Sequence, residues 1–210
     1  MKKEYLILSV LILIIGTIYI VGGKSMTHIP NIPLEDFFKN PEMSSFQLSP
    51  NGKHISYMKP WKEGNRMMNV YVKPIDSDKE IRITGASERS LYGYFWVSNN
   101  RIAYVQDKGG DENIHIYAVN IDGSNDIDLT PFENIQARIT DDLEDDENFM
   151  LVGLNKDNPQ IHDVYRLNVN TGDLELIAKN PGNISGWMTD NDGKLRIAIT
   201  SDGVNTSMLY

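Results

Sequence analysis

Internal repetition constrains this chain more than any other feature. Three sixteen-residue segments align without gaps: NVYVKPIDSDKEIRIT from Asn69, HIYAVNIDGSNDIDLT from His115 and DVYRLNVNTGDLELIA from Asp163. Tyr71, Tyr117 and Tyr165 coincide. Ile75, Ile121 and Val169 follow them by four residues, and Ile83, Leu129 and Ile177 by twelve. The tyrosines lie 46 and 48 residues apart, and Tyr210 follows Tyr165 by 45. A strand-turn-strand unit precedes each segment: FQLSPNGKHISYM from Phe46, FWVSNNRIAYV from Phe95, ITDDLEDDENFMLVG from Ile139 and WMTDNDGKLRIAI from Trp187. Each repeat therefore offers about four short strands in ~45 residues, the size and strand count of a propeller blade. The joint recurrence of tyrosine, aliphatic and turn positions over three copies argues against coincidence.

The expected fold is all-β: a partial β-propeller of about three and a half four-stranded blades after an N-terminal hydrophobic helix. The incomplete propeller is assigned to residues 43–210, with blades at 43–85, 86–133, 134–181 and 182–210. A propeller closes by packing its last blade on its first, and typical rings hold ~4–8 blades. Two apolar blade faces and a strand edge at Tyr210 are then left uncovered. The chain is accordingly expected to be a fragment of a longer protein.

Ahead of the repeats, Lys2 and Lys3 precede the uncharged run YLILSVLILIIGTIYIV at residues 5–21. The run exceeds the ~7–15 apolar residues of a signal-peptide core and sits at the lower edge of the ~17–25 that span a bilayer as a helix. Residues 1–23 are read as a signal anchor, or as a signal peptide if cleaved. Lysines before the run orient the N-terminus inward. The expected location is the cell membrane, single-pass with the propeller outside the cytoplasm, or an exported or periplasmic one after cleavage. Residues 24–42 form a proline-broken connector in which Leu34 to Phe38 is expected to make one helical turn.

The net charge of −9 argues against nucleic acid as a partner. The absence of cysteine excludes disulfides, thiolate metal sites and a cysteine nucleophile. No G-x-S-x-G elbow, Walker loop or G-x-G-x-x-G occurs. His28, His54, His115 and His162 form no pair with metal-ligand spacing. Asp141, Asp142, Glu144, Asp145, Asp146 and Glu147 lack the alternating ligands and central glycine of an EF-hand loop and read as a solvated turn. No catalytic residue, metal or cofactor is expected in the chain.

The distinctive stretch is QDKGGDEN at 106–113. Its two glycines permit a tight turn, and Asp111 and Asn113 are suited to bonding neighbouring amides. Glu112 has no local structural task. The stretch reads either as a hairpin loop of blade two or as a carboxylate presented toward the propeller axis or a neighbouring domain.

At this loop the chain resembles the propeller of the prolyl oligopeptidase family of serine peptidases, particularly its dipeptidyl-peptidase and acylaminoacyl-peptidase-like members. Three stretches carry the resemblance: IPLEDFFKNP at 32–41 leading into LSPNGK at 48–53; DKGGDEN at 107–113 with Ile116-Tyr117; and Asn155-Lys156-Asp157 through His162-Asp163-Val164-Tyr165-Arg166 to Asn180-Pro181-Gly182, with Lys156 where arginine is usual. The resemblance implies a C-terminal α/β-hydrolase domain, absent from this chain, carrying the Ser-Asp-His triad. It also implies a propeller that limits access to short peptides and contacts the substrate N-terminus. Glu112, Asp111 and Asn113 become the substrate-contact candidates. The implied partners are that hydrolase domain, short peptide substrates and a membrane through residues 5–21. The alternative is a TolB-type envelope propeller without a hydrolase, acting as a protein-binding module.

Overall fold

The computed structural model describes residues 31–39, 41–61 and 66–210. The hydrophobic run at 5–21, and with it the proposed anchor, lies outside the described residues. Among the described residues no helix is long and apolar enough to cross a membrane. The chain divides into two compact units, Met1–Asn40 and Pro41–Tyr210. In the first, α1 (Leu34–Phe37) is the expected single turn. Pro33 caps it, Glu35 and Asp36 lie in its first turn, and Asp36 pairs with Lys39 at 3.1 Å.

The second unit is a row of antiparallel meanders. The first sheet holds β1 (Ser44–Leu48), β2 (His54–Pro60), β3 (Met68–Pro74) and β4 (Ile81–Arg82). The second holds β5 (Gly93–Ser98), β6 (Arg101–Gln106), β7 (His115–Asn120) and β8 (Ile127–Asp128). The third holds β9 (Ala137–Asp141), β10 (Phe149–Asn158), β11 (Ile161–Asn168) and β12 (Leu174–Ala178). The fourth has three strands, β13 (Ile184–Thr189), β14 (Leu195–Ser201) and β15 (Thr206–Leu209). Each sheet runs in chain order, so every blade is a consecutive up-and-down ribbon. This is a partial β-propeller.

Strand residues alternate their side chains between two faces, and in a propeller each face meets a neighbouring blade. The cores therefore lie between sheets. Met58, Val70, Val72 and Ile83 of blade one pack with Tyr94, Ile102, Tyr104 and Val119 of blade two. Ala103, Ile116, Ala118 and Leu129 from the other side of blade two pack with Met150, Val152, Leu154, Tyr165 and Leu167 of blade three. The repeat tyrosines sit at one register: Tyr71 opposite Tyr57, Tyr117 opposite Tyr104 and Tyr165 opposite Val152. Tyr104 and Tyr117 stack at 5.1 Å.

The fourth tyrosine departs from this pattern. Trp187 pairs with Ala198 and Ala198 with Leu209. Paired residues share a face, as do residues two apart on a strand. That face also carries Thr189, which hydrogen-bonds Asp141 of blade three. Leu209 thus takes the place toward the preceding blade, while Tyr210 lies beyond β15 and is 99% exposed. No residue of 182–210 is fully buried. Between blades three and four runs a cleft of about 1220 Å3, bordered by Asp141, Asp146, Arg166, Ile177, Trp187 and Lys194.

A polar residue two places before each repeat tyrosine secures the chain leading toward the next blade. Asn69 Oδ1 accepts from Thr84 Oγ1 (2.9 Å) and Ala86 N (2.7 Å), and its Nδ2 donates to Ala86 O (2.8 Å). His115 Nδ1 meets Asp128 Oδ2 at 2.9 Å, and Asp163 Oδ1 accepts from Asn180 N at 2.7 Å.

On blade one, Glu80 hydrogen-bonds both Lys59 and the Tyr57 hydroxyl. The Lys59 contact, followed by that of Tyr57, holds the Glu80 carboxyl below its ordinary value of 4.5 against an opposing contribution from burial. A carboxyl depressed in the folded state stabilises above the unfolded value and loses that contribution as pH falls through the folded one. Glu80→Gln is therefore expected to lower the melting temperature at pH 7, with the gap to wild type closing as the pH is taken from 5 to 3. A gap that stays constant over that range would refute the linkage.

Candidate functional site

The QDKGGDEN stretch bridges β6 and β7. Inside it Asp111 forms a local brace. Its Oδ1 accepts from the amides of Asn113 (3.0 Å) and Lys108 (3.3 Å), and its Oδ2 from Asn113 Nδ2 (3.2 Å). Partial desolvation raises the Asp111 carboxyl, but the bonds from Asn113 and Lys108 outweigh it and leave the group below its ordinary value. Asp111 and Asn113 are thus committed to shaping the turn. Glu112 stands in the left-handed region at φ 61°. Its carbonyl accepts from Gln136 Nε2 of the neighbouring blade at 3.3 Å. Its side chain is exposed and has no hydrogen-bond partner among the described residues. The structure places the three expected residues together on one loop, and it separates their roles.

The loop rests on residues that sequence reasoning did not single out. Asp107, at the end of β6, has a side chain only 1% exposed. Its Oδ2 receives Arg89 Nη1 (2.9 Å), the Tyr92 hydroxyl (3.1 Å) and the Glu112 amide (3.4 Å). Its Oδ1 has no partner among the described residues. Arg89 and Tyr92 come from the connector between blades one and two, and the guanidinium carbon lies 5.6 Å from the Tyr92 ring centre. Burial, then the hydrogen bond to Asp107, raises the Tyr92 hydroxyl above its ordinary value. Arg89 Nη1 lies 2.9 Å from where a Cβ on Gly110 would stand, and Gly110 has φ +93°. Any side chain there would strain the backbone and displace Arg89. Asp107 opens the DKGGDEN motif and was visible in that sense. Nothing in the sequence linked it to Arg89 and Tyr92, fifteen or more residues upstream in the segment that leads into β5.

The other acidic stretch is engaged in structural contacts. Asp146 pairs with Arg166 at 3.1 Å, and Asp141 bonds Thr189. Among the described residues no group of three or more His, Cys, Asp or Glu is placed to hold a metal ion. His115 is buried against Asp128.

No family model matches the sequence. It is 32% identical over 169 residues to dipeptidyl aminopeptidase BIII of Pseudoxanthomonas mexicana, covering 80% of this chain and 24% of that protein. It is 31% identical over 202 residues to dipeptidyl peptidase family member 6 of Caenorhabditis elegans, covering 92% of this chain and 27% of that protein. This chain is a propeller portion of the prolyl oligopeptidase family. It spans about a quarter of the length of these two relatives. Among solved structures, an oligogalacturonate lyase in complex with manganese superposes with a TM-score of 0.58 at 12% identity, over 80% of this chain and 50% of that one. At that identity the likeness concerns the fold alone. Within the prolyl oligopeptidase-family propeller, the second blade's loop is where a buried ionic base and an unpaired carboxylate meet.

Proposed function

We propose that the chain is the non-catalytic, substrate-gating part of an exported or membrane-anchored serine peptidase that cleaves short peptides. The catalytic α/β-hydrolase domain is supplied outside this chain, and the hydrophobic run at 5–21 holds the propeller to the membrane with its blades outside the cytoplasm. One observation carries the reading at the level of residues. Glu112 is held in a left-handed backbone conformation with its carboxylate exposed and without a partner. Such strain in a non-glycine residue costs about 1–3 kcal/mol and is enriched at functional sites. The chemistry of an unpaired carboxylate on the rim suits the terminal ammonium of a short peptide. Asp111 and Asn113 shape the loop that presents it.

The test uses the complete peptidase, propeller and hydrolase together, with dipeptidyl and N-acetyl-dipeptidyl reporter substrates. Glu112→Gln should raise KM for the free-amine substrate about tenfold, equivalent to about 1.4 kcal/mol, with kcat little changed and the N-acetylated substrate unaffected. An unchanged KM for the free-amine substrate in the variant, or a rise of the same size for the N-acetylated one, would overturn the role of Glu112. A downstream reading frame that adds only further blades, without a G-x-S-x-G serine, would overturn the peptidase reading in favour of a TolB-type binding propeller.

A further inference from the structure

We propose that Asp107 keeps Glu112 available for a cationic ligand by sequestering Arg89, a cation whose charge would otherwise neutralise it. The proposal rests on the reading of Glu112 as an ammonium contact and adds the device that makes such a contact workable.

A buried carboxylate is costly unless it is paired and hydrogen-bonded. Asp107 meets that cost on one oxygen, where the Arg89 guanidinium, the Tyr92 hydroxyl and the Glu112 amide converge. The same oxygen thus fixes the backbone of Glu112 and the charge of Arg89. Arg89 is held against the loop over Gly110, where its Nη1 fills the space of a missing Cβ. Its side chain remains 46% exposed. A half-exposed guanidinium beside an exposed glutamate would ordinarily pair with it, because arginine forms strong two-pronged bonds with carboxylates. Here Arg89 donates to Asp107, and the Glu112 carboxylate has no hydrogen-bond partner among the described residues. Arg89, the Tyr92 hydroxyl and the Glu112 amide all bond the same Asp107 oxygen, which places these groups in one small region. Asp107 is therefore a positioning residue with two effects: it orients Glu112 through the backbone, and it draws the competing cation away.

The two effects separate in a set of variants of the full chain. The probe is alanyl-alanine with a free amine, titrated by NMR alongside its N-acetyl counterpart. Asp107→Asn should weaken free-amine binding at least tenfold, because Arg89 is released toward Glu112. Arg89→Gln, which removes the competitor, should bind as tightly as wild type or tighter. The double variant Asp107→Asn/Arg89→Gln should recover to within about threefold of wild type. A purely structural role predicts the reverse pattern, with Arg89→Gln as damaging as Asp107→Asn and the double variant no better than either. That outcome overturns the proposal, and because Arg89→Gln leaves the buried Asp107 in place, it decides even if Asp107→Asn fails to fold. Glu112→Gln serves to tell the two readings apart. If it binds the dipeptide like wild type, or if wild type binds none, the ammonium reading fails. Sequestration is then judged by the crystal structure of Asp107→Asn, in which the Arg89 guanidinium should come within hydrogen-bond distance of the Glu112 carboxylate. A guanidinium that stays where it is overturns it.

Discussion

Replacing Arg101 with methionine is expected to lower the stability of the chain by about 3 kcal/mol, more than any surface substitution. Arg101 is 4% exposed and begins β6. Its Nε donates to Val169 O of blade three at 2.9 Å, Nη1 to Asn120 Oδ1 (2.7 Å) and Asn125 O (3.2 Å), and Nη2 to Ala118 O (3.3 Å). One side chain thus satisfies four acceptors and ties two blades together. Methionine fills a similar volume but donates nothing, and the buried carbonyls of Val169 and Ala118, left unpaired, cost about 1–3 kcal/mol each, whereas Asn125 is exposed to water. Part of this is offset, because the buried guanidinium carried its own desolvation penalty. For a chain of this size about 3 kcal/mol corresponds to a fall in melting temperature of roughly 6–12 °C, readable by calorimetry. A fall of less than about 2 °C would show that water or relaxed side chains take over the four acceptors.

Leu167→Ala is expected to cost a similar amount by another route. Leu167 is 0% exposed, pairs with Met150, and packs between blades two and three. Truncating a buried leucine removes its transfer energy and leaves a cavity, about 2–5 kcal/mol in all. Ile199→Ala supplies the contrast. Ile199 lies on β14 of the fourth blade, where no residue is fully buried, so the same loss of methylenes should cost about 1 kcal/mol or less. Denaturant melts of the two variants compare the interfaces directly. Equal losses would mean that blade four is packed as firmly as blade three.

The blade architecture was legible because it is periodic. Tyr71, Tyr117 and Tyr165 recur with their aliphatic partners, and each occupies one register opposite the preceding strand. At Tyr210 the count runs one residue long: Ala198 pairs with Leu209, 44 residues after Tyr165, so a leucine takes the position toward blade three. The candidate loop was legible to the extent that its chemistry is local. Asp111 and Asn113 bond within five residues of chain, as their types suggest. The roles of Asp107, Arg89 and Tyr92 depend on a connector from one blade meeting a loop from the next, and no local pattern encodes that meeting. The polar residues that secure the connectors, Asn69, His115 and Asp163, differ in type between repeats and so left no recurring letter to follow.

The placement of the cores between blades bears on how such a chain can change over generations. A blade owns neither of its apolar layers outright, because each is completed by residues of the adjoining repeat. A substitution at Tyr104 is answered across the gap by Met58, Val70 and Val72 as well as by Tyr117 of its own sheet. Repeats that arose by duplication are therefore free to drift only in matched pairs of facing surfaces. Grafting one blade in place of another, however similar their strands, would break two partnerships at once.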